Sequence, residues 1–483
     1  MTPLTLFRPA RLSGVAFAAL LAAGCANVPA PPADGAPTLS TGGHFLAEAA
    51  GEAPTSDWWN GFDDPELQAL VETALTASPV LRGADASVAE TEALLRLALL
   101  GRSPATSTTA SATASRPTGG GDDFAASGRT GLAASWELDA FGRLGAAIDA
   151  ARYDQAAARE LRRDLAVSLA SETALAYIDL RSAEARLAVA TRNATVQEQS
   201  LALVRTLVEN GRANELDLNR AETQYRTTLA SIPVFEAGIA AARSRLAALT
   251  GNAATLSGTV MAAPDHQARI PRLSAPFTSG TPEDLLRRRP DIRLAEARIG
   301  STLALGRAAR ANLFPRISLN ADLFGLVTDS GVAFNEDSIG LSVGPALSWS
   351  GPDLRRVYAN IDAADARALG AVADYEATVL DALAEAETAL SNYFSERQRR
   401  ADLEGAVASA RRALELANLR FEQGLDSSLD VLDAQRTLLA AEDQLAVNEA
   451  EIARRAVRAY RSLGGIWTDE ELAAFRAEQK ENP

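Results

Sequence analysis

The sequence predicts a mixed α and β membrane protein built from two similar halves. The first observation is a repeat. Glu-Asn-Gly-Arg-Ala-Asn-Glu-Leu-Asp-Leu from Glu209 returns 213 residues later as Glu-Gln-Gly-Leu-Asp-Ser-Ser-Leu-Asp-Val from Glu422. Gly211 matches Gly424, Leu216 matches Leu429, Asp217 matches Asp430 and Ala221 matches Ala434. The period is too long for a solenoid unit, so it signals pseudo-twofold halves. The second observation is a pair of proline-free tracts, Pro117 to Pro233 and Pro352 to Pro483, both rich in the helix formers Ala, Leu, Glu and Arg. The third is strict apolar/polar alternation just before each tract, the pattern of strands with one apolar face.

The elements follow in chain order. Arg8 and Arg11, a short apolar run from Val15 to Leu21, and Ala-Ala-Gly before Cys25 read as a signal peptide over 1–24. Its end resembles a bacterial lipobox. That makes Cys25, the only cysteine, a lipidated first residue rather than half of a disulfide. A Pro/Ala/Gly-rich tether covers 25–43, and short helices follow over 44–102, one starting at Asp64-Pro65-Glu66-Leu67. The first strand pair lies in 103–139. Leu132, Ala134, Trp136 and Leu138 alternate with polar neighbours, while Ala105–Ser115 is a strand only by symmetry with the others. Helical hairpin 1 covers 145–250 with its turn near Gly211, and Pro233 is expected to kink or break its second arm. A linker and helix over 251–312 lead to strand pair 2 in 313–349. There Ile317, Leu319, Ala321 and Leu323 face one way, as do Ile339, Leu341, Val343, Leu347 and Trp349. Hairpin 2 covers 353–464 with its turn near Gly424, and 465–483 closes the chain. A wholly helical arm from 145 to 209 would be about 100 Å long at about 1.5 Å per residue, and needs neighbours to be stable.

No later stretch offers the roughly 18 apolar residues of a membrane helix, so a spanning segment must be made of strands. Four strands cannot close a barrel, and an open edge is not tolerated in lipid. Three protomers would supply twelve strands. The formal charge is −15, and removal of the leader with Arg8 and Arg11 leaves −17. That balance excludes nucleic acid as a partner. Only His44 and His266 are present, no phosphate-binding glycine loop occurs, and Asp63-Asp64 and Asp122-Asp123 sit in loop-like contexts expected to be solvated. Neither an enzyme nor a metal site is expected. No cofactor is expected beyond diacylglycerol and an N-acyl chain on Cys25.

Several segments together resemble the outer-membrane efflux proteins, in the NodT-like lipoprotein branch related to TolC. They are Arg288-Arg289-Pro290-Asp291-Ile292, Asn312-Leu313-Phe314-Pro315-Arg316-Ile317-Ser318-Leu319, Ser135-Trp136-Glu137-Leu138-Asp139-Ala140-Phe141-Gly142-Arg143, Leu429-Asp430-Val431-Leu432-Asp433-Ala434-Gln435 and Leu463-Gly464-Gly465-Ile466-Trp467. The resemblance covers essentially the whole mature chain in order. It implies a homotrimer with a twelve-stranded outer-membrane barrel, four strands per protomer, continued by a long periplasmic α-helical coiled-coil barrel. It implies passive export of small molecules, a periplasmic adaptor (membrane fusion protein) and an inner-membrane RND-type transporter as partners, and contact with outer-membrane lipid. Ala26 after the cysteine favours the outer membrane by the same resemblance. The other class compatible with the residues is a lipid-anchored periplasmic coiled-coil scaffold without channel activity, which has no need of alternating strands.

The resemblance places Gly211 and Gly424 at the adaptor-docking tip, where a left-handed helix cap is also the ordinary role of such a glycine. It places Leu429, Asp430 and Asp433 at the periplasmic aperture. Asp430 follows Ser427 at capping-box spacing, and Asp217 follows Asn214 in the same way. Asp433 differs, because its counterpart in the first repeat is Arg220. A cap would serve both copies alike, and this sign change does not. Asp433 is therefore assigned to the constriction, and Arg220 to an ion pair with Asp433 or Asp430 that holds neighbouring hairpins closed. Leu429 is assigned to an apolar ring, with plain helix packing as its alternative role.

Overall fold

Two helical hairpins, each preceded by a pair of antiparallel strands, account for most of the chain. The computed structural model describes residues 45, 57–115, 125–251, 269–274, 277–328 and 339–465. Cys25, both histidines, Asp122-Asp123, the tether and the final segment from 466 lie outside them. A short 3-10 turn, Trp58–Phe62, precedes α1 (Pro65–Ala77) and α2 (Pro79–Leu100). Strands β1 (Ala105–Ser115) and β2 (Ala125–Leu138) lead into α3 (Arg143–Glu209) and α4 (Glu215–Leu249). After α5 (Pro282–Arg288) and α6 (Pro290–Ala311), the order repeats with β3 (Arg316–Thr328), β4 (Ile339–Ser348), α7 (Leu354–Glu422) and α8 (Ser428–Ser462). The arms of the two hairpins are 67 and 35 residues in one copy and 69 and 35 in the other.

The chain divides into two compact units. Among the described residues the first comprises Leu94–Tyr153 and Ile299–Val372; the second comprises those of Thr38–Ala93, Asp154–Arg298 and Ala373–Pro483. The first unit holds the sheet, in the order β1-β2-β3-β4, antiparallel throughout. β1 is a strand along its whole alanine, serine and threonine run, paired from Ala105 opposite Ser135 to Ser115 opposite Ala125. Propensity is indifferent there, and the ladder supplied by β2 decides.

The second unit is helical, and its core is made of small residues. Ala170, Ala174, Ala176, Ala382, Ala386, Ala450 and Ala456 are all fully buried or nearly so. Alanine at those positions lets helices approach closely without side-chain entropy loss. The expected break at Pro233 does not occur, and α4 continues through it to Leu249. A proline removes one backbone donor, but a helix propagating on both sides, with Ala242, Leu246 and Ala247 buried beyond the proline, tolerates the loss. A second expectation is corrected at Asp64. It is half-buried and caps α1, accepting from the N–H groups of Glu66 and Leu67 at 3.1 Å. It also accepts the Tyr177 hydroxyl at 3.1 Å. The Asp-Pro start creates orphan amides that a carboxylate satisfies well.

Candidate functional site

The two hairpin turns are built alike. At the first, Gly211 has φ +70°, its N–H bonds Val208 O at 2.9 Å and the Arg212 N–H bonds Leu207 O at 2.8 Å. At the second, Gly424 has φ +72°, its N–H bonds Phe421 O at 2.9 Å and the Leu425 N–H bonds Arg420 O at 2.9 Å. This is glycine closing a helix in the left-handed region, where a side chain would cost about 1–2 kcal/mol.

The caps of the outgoing arms differ. Asn214 Oδ1 accepts from the Asp217 N–H at 2.9 Å. In the second copy Asp430 Oδ2 accepts both the N–H and the hydroxyl of Ser427, at 3.0 and 2.7 Å. Capping is thus a role Asp430 fills with its carboxylate and Asp217 does not.

Beyond the caps, α4 and α8 border an open groove of about 590 Å³ lined by Leu216, Arg220, Leu429, Asp433 and Arg436 among others. The sequence-assigned residues Arg220 and Asp433 therefore share one surface. Within the chain they do not pair with each other. Asp433 Oδ1 accepts from Arg436 at 2.6 Å, one turn along α8, while Arg220 comes only within 3.9 Å of Asp217. The Asp433–Arg436 pair is exposed, and such pairs contribute about 0–1 kcal/mol; Asp217 is half-buried, but 3.9 Å from Arg220 is a loose contact. Leu429 is 44 % exposed, so packing within the chain does not consume it. That role falls to Leu432, 6 % exposed, which joins Leu201, Val204 and Ala221 in a core linking α3, α4 and α8.

Arg436 escaped the sequence reading. Its counterpart in the first repeat is Thr223, so comparing the copies one turn further would have found it. A second missed feature is the clamp inside turn 2. Arg420 donates to both Asp426 oxygens, at 2.6 and 2.7 Å. The corresponding residues of the first turn, Leu207 and Ala213, cannot form it. The guanidinium holds the Asp426 carboxyl below its ordinary range. A depressed folded-state value contributes stability above the unfolded value of about 3.9, lost as the pH falls through the folded one. Hydrogen-exchange protection of residues 420–428, corrected for intrinsic rates, is expected to be the same at pH 8 and pH 5 and to fall only below about pH 3.9. Loss of protection already at pH 5 would contradict the clamp.

In the first unit, register assigns every strand residue to a face. Leu132, Leu323 and Leu341 lie in one row, Trp136 and Leu319 in another, and Ala134, Ala321 and Val343 in a third. These leucines, Trp136 and Val343 are exposed, Leu341 by 72 %. The opposite face carries Ser135, Asn320, Asp322 and Ser342. Ser135 Oγ donates to Asn320 Oδ1 there at 2.8 Å. One apolar face bare of cover, one polar face and two unpaired edges suit lipid outside and water inside. Trp136 and Trp349 anchor the helix-side end. Their indole N–H groups donate to Arg102 O at 2.8 Å and to Leu313 O at 3.0 Å. These tryptophans are also 213 residues apart, a match the repeat offered. No helix among the described residues is long and apolar enough to cross a membrane.

Comparison with known proteins agrees with this geometry. The family model for outer membrane efflux proteins matches residues 70–252 and 281–465. Outer membrane protein OprJ of Pseudomonas aeruginosa is 30 % identical over 93 % of this chain and 95 % of its own. Nodulation protein T of Rhizobium leguminosarum is 28 % identical over 89 % and 88 %. The solved outer-membrane channel OprN superposes with a TM-score of 0.81 at 35 % identity, covering 90 % of this chain and 97 % of that one. The chain belongs to the outer membrane efflux protein family.

Proposed function

We propose that three copies of this chain form an outer-membrane exit duct, each contributing four strands to a twelve-stranded barrel and two hairpins to a periplasmic α-helical barrel. The two halves of each chain are then quasi-equivalent staves. The observation that supports this most directly is the sheet, whose exposed leucine rows and open β1 and β4 edges have no use in water. A coiled-coil scaffold would not need them. The duct is a transporter rather than an enzyme and forms no bonds with its cargo. Small molecules reach it from a periplasmic adaptor docked at the Gly211 and Gly424 turns, driven by an inner-membrane RND-type pump. Diacylglycerol and an N-acyl chain on Cys25 tether each protomer to the outer membrane, and no other cofactor takes part.

The groove between α4 and α8 serves as the gate. Arg220 on one arm, Asp433 and Arg436 on the other, and the exposed Leu216 and Leu429 are free to meet a neighbouring protomer. Asp430 caps the arm that carries it, and Asp217 stands one turn before Arg220 on the other arm, within 3.9 Å of it. With Asp433 held by Arg436 within its own chain, closure is expected to depend on an exchange of partners, Asp433 toward the Arg220 of another hairpin. In planar bilayers, Asp433→Ala and Arg220→Ala are each expected to raise the resting conductance. Resting conductance equal to wild type in both variants would sink the gate assignment.

A further inference from the structure

The polar face of the sheet carries one construction that neither the barrel nor the gate requires. Near the end bearing the β1–β2 and β3–β4 connections, the Arg129 guanidinium lies over the Phe324 ring, 3.8 Å from its centroid. Both residues fall on the face of Ser135 and Asp322 by register. The seat for the ring is made by glycines. Phe324 is directly opposite both Gly131 and Gly340. A Cβ on Gly340 would come 2.4 Å from Phe324 Cζ, and one on Gly131 would meet Leu323 O at 2.7 Å and Phe324 Cβ at 3.0 Å. The ring therefore lies along the wall rather than standing into the interior. Covering bare glycine backbone with an aromatic ring accounts for Phe324 structurally. It does not account for Arg129, which remains exposed.

We propose that Arg129 forms a threefold carboxylate-recognising collar near the outer end of the barrel lumen, with Phe324 as its seat; this rests on the trimeric barrel proposed above. A guanidinium centred 3.8 Å over an aromatic ring is held by a cation–π contact. The ring takes up one side of the group, and because Arg129 is exposed its remaining N–H donors stay open to solvent. A planar fork of donors matches a carboxylate in bidentate fashion. Two residues along β3, Asp322 lies on the same face, opposite Ala133 and Ser342. A solute leaving the duct thus meets a ring of acids first and a ring of arginines last. Acid rings favour cations and arginine rings favour anions. The collar offsets the first ring and gives anionic solutes a transient handhold at the exit.

The test uses the full-length, lipidated trimer in planar bilayers under a salt gradient. Arg129→Ala is expected to shift the reversal potential toward the cation value. Benzoate added on the side of the strand connections is expected to reduce the wild-type current and to leave that of Arg129→Ala unchanged. Phe324→Leu keeps the charge and loses the seat, so its reversal potential should stay near wild type while its benzoate block weakens. Equal reversal potential and equal block in wild type and Arg129→Ala would overturn the collar alone. A wild-type protein that carries no current would overturn the duct itself, and the collar with it.

Discussion

Arginine at Leu341 will strip the protein from the outer membrane, whereas arginine one residue further on, at Ser342, will leave it there. Leu341 is exposed on the apolar face, in the row it shares with Leu132 and Leu323, which lie near the middle of β2 and β3. At the middle of a bilayer an arginine on a barrel's lipid face costs about 2–4 kcal/mol. In the proposed trimer three copies carry it, so the total would reach about 6–12 kcal/mol, comparable with the whole stability of an ordinary domain. Ser342 points to the other face and is directly opposite Asp322, so an arginine there gains a counter-ion and remains in water. Outer-membrane yield and the heat-labile trimer band on a semi-native gel measure both variants. Equal yields for Leu341→Arg and Ser342→Arg would contradict the assignment of faces.

Arg289→Ala will lower the stability of the helical unit by about 1–3 kcal/mol, the range for leaving a partly buried polar partner without its donor. Arg289 ends α5 and is only 12 % exposed. It binds both Asp291 oxygens, at 3.0 and 2.7 Å, Glu385 at 2.9 Å and the Ser462 carbonyl at 2.7 Å. One side chain thus ties the start of α6 to α7 and to the end of α8. Burial by itself would disfavour its charge, and the two carboxylates more than compensate, raising its proton affinity. Its loss would leave the Ser462 carbonyl and the half-buried Asp291 without this donor, while Glu385 turns to solvent. Arg289→Lys is expected to recover only part of the effect, because a point charge cannot serve three directions as a planar fork does. Denaturant unfolding followed by circular dichroism reads the difference. A value within about 0.5 kcal/mol of wild type, the scatter of surface substitutions, would rule the cluster out as a tie.

Most of the architecture was legible because it rests on periodicity. The alternation around Leu132 and Leu323 named the strands and their faces, and the proline-free tracts named the hairpins. The repeat located both turns to the residue. β1 was legible only through the repeat, since its composition carries no alternation. What stayed hidden depends on distant contacts. Nothing near Asp64 in sequence announces Tyr177, and nothing near Arg289 announces Glu385 or the Ser462 carbonyl. Of the two outcomes expected at Pro233, the break is excluded because the helix propagates on both sides of it. The sign change between Arg220 and Asp433 singled out two residues that line one groove between α4 and α8. The partner of Asp433 within the chain, Arg436, is visible only when side chains are placed.

The seam between β2 and β3 also sets an order of events. Leu138 lies opposite Ile317, and the whole of hairpin 1 separates them in the chain. β1 and β2, by contrast, are joined by one short connection, and the helical hairpins by tight glycine turns. Closing the long loop carries the larger entropic cost, and its contacts reward the chain only once both ends exist. A ribosome that has released β2 must still deliver everything up to β4 before the sheet can be finished. Hairpin 1 thus has a head start on the sheet, whose bare leucine rows can be joined only once β3 and β4 are delivered.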